Sequence, residues 1–177
     1  MMQKVKVLKK LQKLKSLQFS LMLVLMTLTL SSCNSFDKAM SVVVPFYEYD
    51  KTELDSISIL SSLDANNNLP VAIDFVFVLD KETAMALMNL NGPQWFANKS
   101  GLMLRYEHSL IITQVEVVPQ TTEYKLLLPE DYDDAVRVYM YANYIHPAGQ
   151  YTADLTLYDE AQISLKKIGY TVKELNP

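Results

Sequence analysis

Alternation of apolar and polar side chains at a period of two constrains this fold more than any other feature. In Val71–Leu79 the polar or small residues Ala72 and Asp74 interrupt apolar residues at every second position. Ala135–Tyr144 repeats the pattern, with Arg137 and Asn143 among its apolar residues. Successive side chains of a β-strand point to opposite faces of the sheet, so this period predicts strands with one buried face.

Similar short segments fill most of the chain after residue 46. They are Asp55–Leu60, Ser109–Val118, Thr122–Leu128, Gln150–Tyr158, Gln162–Leu165 and Ile168–Val172. Asn, Pro, Gly and Asp residues, which favour turns, separate them. About eight short strands with turns every 8–15 residues predict an all-β fold, an antiparallel β-sandwich.

One helical insertion interrupts the strands. Asp80 can cap a helix over Lys81–Leu90, and Asn91-Gly92 would end it. Pro93 can then open a second short helical turn to Asn98, closed by Gly101. This pair is expected to cover one end or one face of the sandwich, with Trp95-Phe96 plugging the core beneath it.

The first 32 residues have the order of parts of a secretory signal. Six lysines and no acidic residue precede or flank an apolar run, Phe19–Leu30. This run of about 12 residues is shorter than the roughly 20 that a membrane-spanning helix needs. The pattern therefore predicts a signal that is removed on export.

The run ends in Leu30-Ser31-Ser32-Cys33, which resembles the bacterial lipobox. The resemblance implies cleavage before Cys33 and attachment of diacylglycerol to its thiol. The predicted organisation is a lipoprotein signal peptide over residues 1–32, a lipidated N-terminus and tether over 33–45, and a β-sandwich domain over 46–177. Asn34 stands where lipoproteins retained in the inner membrane often carry Asp, which favours the outer membrane.

Charge and cysteine content exclude several functions. Without the six leader lysines the chain keeps 10 basic against 20 acidic residues, a net charge of −10. A surface of that charge repels phosphate backbones, so nucleic-acid binding is excluded. The single cysteine excludes a disulfide framework and a Cys-rich zinc site.

The residues that could support catalysis are sparse. His108 and His146 flank predicted strands without the spacing of metal ligands. The acidic run Glu130–Asp134 lacks the alternating ligands and central glycine of an EF-hand, and a solvated turn is the better interpretation. We therefore expect no enzyme activity, no catalytic residue, no metal site and no cofactor.

Two tyrosines leave two interpretations open. Tyr139 and Tyr141 alternate away from the predicted core beside Arg137, a composition typical of protein interfaces. Alternatively, they line a sheet face that the helical insertion covers.

With these features in place, the chain resembles the outer-membrane lipoprotein of the type VI secretion system, a transthyretin-like component of its membrane complex. The likeness rests on the lipobox at Cys33, an Asn-rich loop before Leu69–Phe77, the helical insertion, the Val118-Pro119 turn and the strand Ala135–Tyr144. Gln120 departs from the Pro-Gly that family members usually have at the turn, which indicates a divergent member.

The resemblance implies a binding role. The loop between the first two strands, here Ser61–Pro70 with Asn66, Asn67 and Asn68 at its tip, would contact the periplasmic C-terminal domain of a large inner-membrane secretion protein. Lipid at Cys33 would hold the chain on the periplasmic face of the outer membrane. A different lipoprotein binding module stays open as an alternative, either a pilot protein for an outer-membrane channel or a carrier of an envelope ligand.

Overall fold

The computed structural model describes residues 51–175, which form two β-sheets packed face to face. One sheet has the order β4-β1-β7-β8 and the other β3-β2-β5-β6. The strands are β1 (Ser56–Ser61), β2 (Val71–Val78), β3 (Leu110–Val117), β4 (Tyr124–Lys125), β5 (Arg137–Ala142), β6 (Ala153–Asp154), β7 (Glu160–Leu165) and β8 (Tyr170–Glu174). The predicted sandwich of about eight strands is confirmed.

Strand pairing is antiparallel with one exception among the described residues. β1 runs parallel to β7, with Ile57 opposite Ala161 and Ile59 opposite Ile163. The other pairs are antiparallel, and β2, paired with both β3 and β5, is the most extensively bonded strand. Sequence periodicity reports which face of a strand is buried and nothing about its neighbour, so the parallel pair could not be predicted.

The main core lies between the two sheets. Ile57, Ile59 and Ile163 face Ile73 and Phe75 across it, each 1% exposed or less. Their positions are those the alternation predicts as inward-facing. Burial of each such side chain stabilises the fold by about 1.5–3 kcal/mol relative to exposure.

Two helices cover the outer face of the β3-β2-β5-β6 sheet. They are α1 (Lys81–Leu87) and α2 (Gly92–Arg105). Asp80 caps α1 as predicted, its carboxylate accepting from the Thr83 amide at 2.8 Å. Trp95, Leu87 and Ala84 form a second core with the outward residues of β2 and β5, so β2 is buried on both faces.

Several element lengths differ from prediction. α1 ends at Leu87 instead of Leu90, and Asn91, which was expected to end it, caps α2 by accepting from the Gln94 amide at 3.0 Å. α2 has 14 residues rather than one turn, because it continues through Gly101, where a glycine in a helix costs only about 1 kcal/mol. The predicted strand Thr122–Leu128 pairs over Tyr124–Lys125. The predicted strand Gln150–Tyr158 pairs over Ala153–Asp154, because the Thr156 hydroxyl accepts from the Val138 amide at 3.0 Å in place of a backbone carbonyl.

The predicted signal peptide, the whole predicted tether with Cys33, and residues 46–50 of the predicted sandwich domain lie outside the described residues. Between residues 51 and 175, neither helix has the length and apolar character to cross a bilayer.

Candidate functional site: the Asn-rich loop

The loop between β1 and β2 lies at the opposite end of the sandwich from the start of the described chain. Lys51 and Thr52 are beside Asp134 and Ala135, at the end where β1 begins. β1 then runs six residues, about 20 Å, before the loop starts. The loop and the first described residue, Lys51, therefore lie at opposite ends of the domain.

The tip of the loop has an unusual backbone. Asn66, Asn67 and Asn68 have φ values of 45°, 55° and 65°, three consecutive residues in the left-handed region. This region costs most L-residues about 1–2 kcal/mol each, and asparagine is among the side chains that tolerate it. The run of three asparagines is thus a conformational requirement of this turn.

The three asparagines have different surroundings. Asn66 is 3% exposed, whereas Asn67 and Asn68 are exposed. The Asn66 side chain donates to the carbonyl of Pro70 at 3.0 Å and accepts from the amide of Ile145 at 3.0 Å. All three lie in the predicted loop, but the side-chain amide of Asn66 is occupied by hydrogen bonds within the fold and is not exposed to a partner. Partner contact by Asn67 and Asn68 stays a prediction.

Two leucines flank the asparagines in the loop. Leu63 is 67% exposed and Leu69 is 48% exposed, on either side of the left-handed turn. The contact residues predicted for this loop are its asparagines, and neither leucine is among them. The signal was present, since Leu63 and Leu69 interrupt an otherwise polar segment.

Neighbouring turns fix the loop in place. The Asn66 amide donates to the carbonyl of Lys166 at 3.1 Å, and the Gln120 amide donates to the carbonyl of Ser62 at 3.1 Å. The Tyr144 hydroxyl donates to the same Lys166 carbonyl at 3.1 Å. Burial raises the pKa of Tyr144 to about 12, so its hydroxyl keeps its proton at neutral pH and can donate.

A tyrosine pair closes the side of the sandwich between β6 and β8, next to this end. Tyr151 and Tyr170 stack with ring centroids 4.3 Å apart. Each hydroxyl donates to the other residue's carbonyl at 2.7 Å. Burial raises the pKa of both hydroxyls, which favours the neutral donors that this reciprocal pair needs.

The two outward tyrosines lie beneath the helices. Tyr141 is fully buried and stacks on Trp95 with ring centroids 4.7 Å apart. The hydroxyls of Tyr139 and Tyr141 donate to the carbonyls of Ala84 and Leu87 on α1. Of the two interpretations left open, the covered sheet face is confirmed, and so is Trp95 as a core plug.

The other candidate residues are on the surface. His108 and His146 are exposed, and the Nδ1 atom of His146 accepts from the Ala148 amide at 3.1 Å. The acidic residues of Glu130–Asp134 are exposed, and Asp134 pairs with Lys51. Across residues 51–175 no three His, Cys, Asp or Glu side chains come together as metal ligands would.

Solved structures of similar fold include components of the type VI secretion system. Lip of Serratia marcescens, a membrane-bound component of the type VI secretion system, superposes with a TM-score of 0.51 at 14% identity. The alignment covers 72% of this chain and all of Lip. The type VI lipoprotein TssJ1 of Pseudomonas aeruginosa gives 0.52 at 10% identity, over 70% of this chain and 96% of TssJ1.

The chain has the fold of the type VI secretion lipoproteins. A chain of a type VI membrane complex also superposes, with a TM-score of 0.52 and 14% identity, over 67% of this chain and 95% of that one. No protein-family model matches the sequence, and neither does any curated protein sequence. The type VI lipoprotein fold expected from the resemblance is thus confirmed in a highly divergent sequence.

Proposed function

We propose that the chain is an outer-membrane lipoprotein that anchors a type VI secretion complex across the envelope. In this role it binds the periplasmic domain of an inner-membrane secretion protein through the loop between β1 and β2. The proposed function is binding, with no catalytic step. The observation that carries it is the type VI lipoprotein fold, with its β1–β2 loop held at the end remote from Lys51, the first described residue.

The backbone of the loop supports a binding role. A left-handed turn of three residues costs free energy, and such turns persist where the surroundings hold them. Here the hydrogen bonds of Asn66 to Pro70 and Ile145 supply that restraint. A loop ordered before binding loses less conformational entropy when the partner docks, which favours affinity.

Membrane attachment in this proposal comes from lipid on Cys33. Each buried CH₂ contributes about 0.8 kcal/mol, so two or more acyl chains hold a protein stably on a bilayer. The neighbour Lip is described as membrane-bound, which supports the same location for this chain. The outer membrane is proposed from Asn34, which follows the cysteine.

The test changes the exposed side chains of the loop and leaves Asn66 in place. A variant with Leu63→Ser, Asn67→Gly, Asn68→Gly and Leu69→Ser keeps the left-handed turn, because glycine adopts it freely. Its affinity for the purified periplasmic domain of the inner-membrane protein from the same secretion system should fall more than tenfold, since exposed anchor side chains dominate interface energetics.

The matched control is Leu104→Ser, which removes a leucine that is 79% exposed on α2, away from the loop. It should leave the dissociation constant unchanged. Urea unfolding checks that the loop variant is folded. A folded loop variant that still binds the periplasmic domain with parental affinity would show that the loop is not the contact.

A further inference from the structure

The end of the sandwich that carries the loop exposes apolar side chains on other turns as well. We define the loop end as the turns 62–70, 118–121, 143–149 and 166–169. Besides Leu63 and Leu69, it exposes Val118 (55%), Ile145 (58%) and Ile168 (50%). Five of the fourteen large apolar side chains exposed among the described residues therefore lie on these adjoining turns, and a group of exposed apolar side chains on one surface is typical of interaction sites.

Hydrogen bonds join these turns into one unit. The backbone amide of Ile145 donates to the Asn66 side-chain oxygen, and the backbone amide of Asn66 donates to the Lys166 carbonyl. Turns 143–149 and 166–169 also pack tightly, since a Cβ on Gly169 would lie 3.0 Å from the carbonyl oxygen of Ala148. Val118, Ile145 and Ile168 are therefore fixed relative to the loop and can meet a partner together with it.

The charge of this end differs from that of the rest of the domain. The loop end has two exposed lysines, Lys166 and Lys167, against one acidic residue, Asp64, and the exposed Glu123 follows the turn 118–121. At the other end, segments 51–55, 129–136 and 157–160 have eight acidic residues and one basic residue. We call those segments the acidic end. The loop end therefore carries less negative charge than the acidic end, and of the two ends it is the one suited to an acidic ligand.

We infer that the partner's contact surface is apolar with acidic side chains at its edge, and that it covers the turns at Val118, Ile145 and Ile168 in addition to the β1–β2 loop. In this arrangement the apolar side chains of the turns are desolvated against the partner's apolar patch. Lys166 and Lys167 pair with the acidic edge, which raises the association rate and makes binding sensitive to salt. The inference rests on the proposed function and specifies the partner's chemistry.

The experiment uses two double variants and measures binding of the same periplasmic domain. Ile145→Ser with Ile168→Ser should weaken binding about tenfold or more, mainly through faster dissociation. Lys166→Glu with Lys167→Glu should slow association, and affinity should then rise with added salt instead of falling, because two glutamates repel the acidic edge that two lysines attract. The matched controls are Leu104→Ser for the apolar change and Lys173→Glu, at an exposed position of β8, for the charge reversal.

The outcomes separate this inference from the proposed function. If the loop variant loses binding while both double variants bind as the parent does, the inference is wrong and the proposed function stands. If neither the loop variant nor the double variants are impaired, both fail. If Lys166→Glu with Lys167→Glu reduces adsorption to vesicles of anionic phospholipid but leaves partner binding unchanged, the end faces a membrane and the inference is overturned.

Discussion

At the scale of single residues, the three asparagines of the loop share a backbone conformation but differ in what their side chains contact. All three occupy left-handed backbone, which explains their residue type without reference to a partner. Asn66 also uses both ends of its side-chain amide to connect the loop to Pro70 and Ile145. Asn67 and Asn68 present theirs to solvent. The position of the loop is thus predictable from the sequence. Only the packing of the folded chain shows that Asn66 is the asparagine that holds the loop in place.

This division predicts different stabilities for matched substitutions. Asn67→Ala should reduce the free energy of unfolding by about 1 kcal/mol, from the left-handed backbone alone. Asn66→Ala should reduce it by about 2–4 kcal/mol, because it also removes two hydrogen bonds from a buried site. Asn67→Gly should be close to neutral. Urea denaturation measures all three, and equal losses for Asn66→Ala and Asn67→Ala would contradict the assigned role of Asn66.

At the scale of elements, the alternation of residues predicted strands well where one face is buried. β1 and β7 follow it, with Ile57, Ile59 and Ile163 inward. It was less informative for β2 and β5, whose second faces lie under the helices. Asp74 was interpreted as outward and polar, yet it is 3% exposed. Local sequence cannot report that a later segment of the chain folds back over a strand.

The buried Asp74 fixes the helical layer to the sheet. Its Oδ2 atom accepts from the Trp95 indole at 2.7 Å and lies 2.7 Å from the Lys99 Nζ atom. The Lys99 side chain is 21% exposed, so the pair is largely removed from water. α2 thereby places an indole and an ammonium group over a carboxylate that would otherwise be buried without compensation.

Removing one charge of the Asp74–Lys99 pair should lower the free energy of unfolding substantially, whereas removing both charges should change it little. Lys99→Met is expected to lower the free energy of unfolding by about 3 kcal/mol, because it leaves a buried carboxylate without its cation. Adding Asp74→Asn keeps an acceptor for Trp95 and should restore most of that loss. Chemical denaturation of the two single variants and the double variant gives the coupling energy, and additive losses would contradict the pairing.

At the scale of the whole molecule, the described domain has two distinct ends. The described chain begins at the acidic end, and the loop lies at the opposite end. The single cysteine is 18 residues before Lys51, the first described residue. The order of the segments was predictable from sequence. The position of Lys51 and the loop at opposite ends was not, because it depends on the parallel pairing of β1 with β7 and on the path of the turns.

This separation predicts that membrane attachment and partner affinity vary independently. Cys33→Ser should abolish incorporation of labelled palmitate and release the protein from the outer-membrane fraction, because the proposed acyl chains supply the attachment. The purified domain from residue 34 onward should nevertheless bind the partner's periplasmic domain with parental affinity, since every residue of the loop end is retained. The loop variant should show the reverse, with normal fractionation and impaired binding. Outer-membrane fractionation of Cys33→Ser would mean that a feature other than lipid holds the protein there.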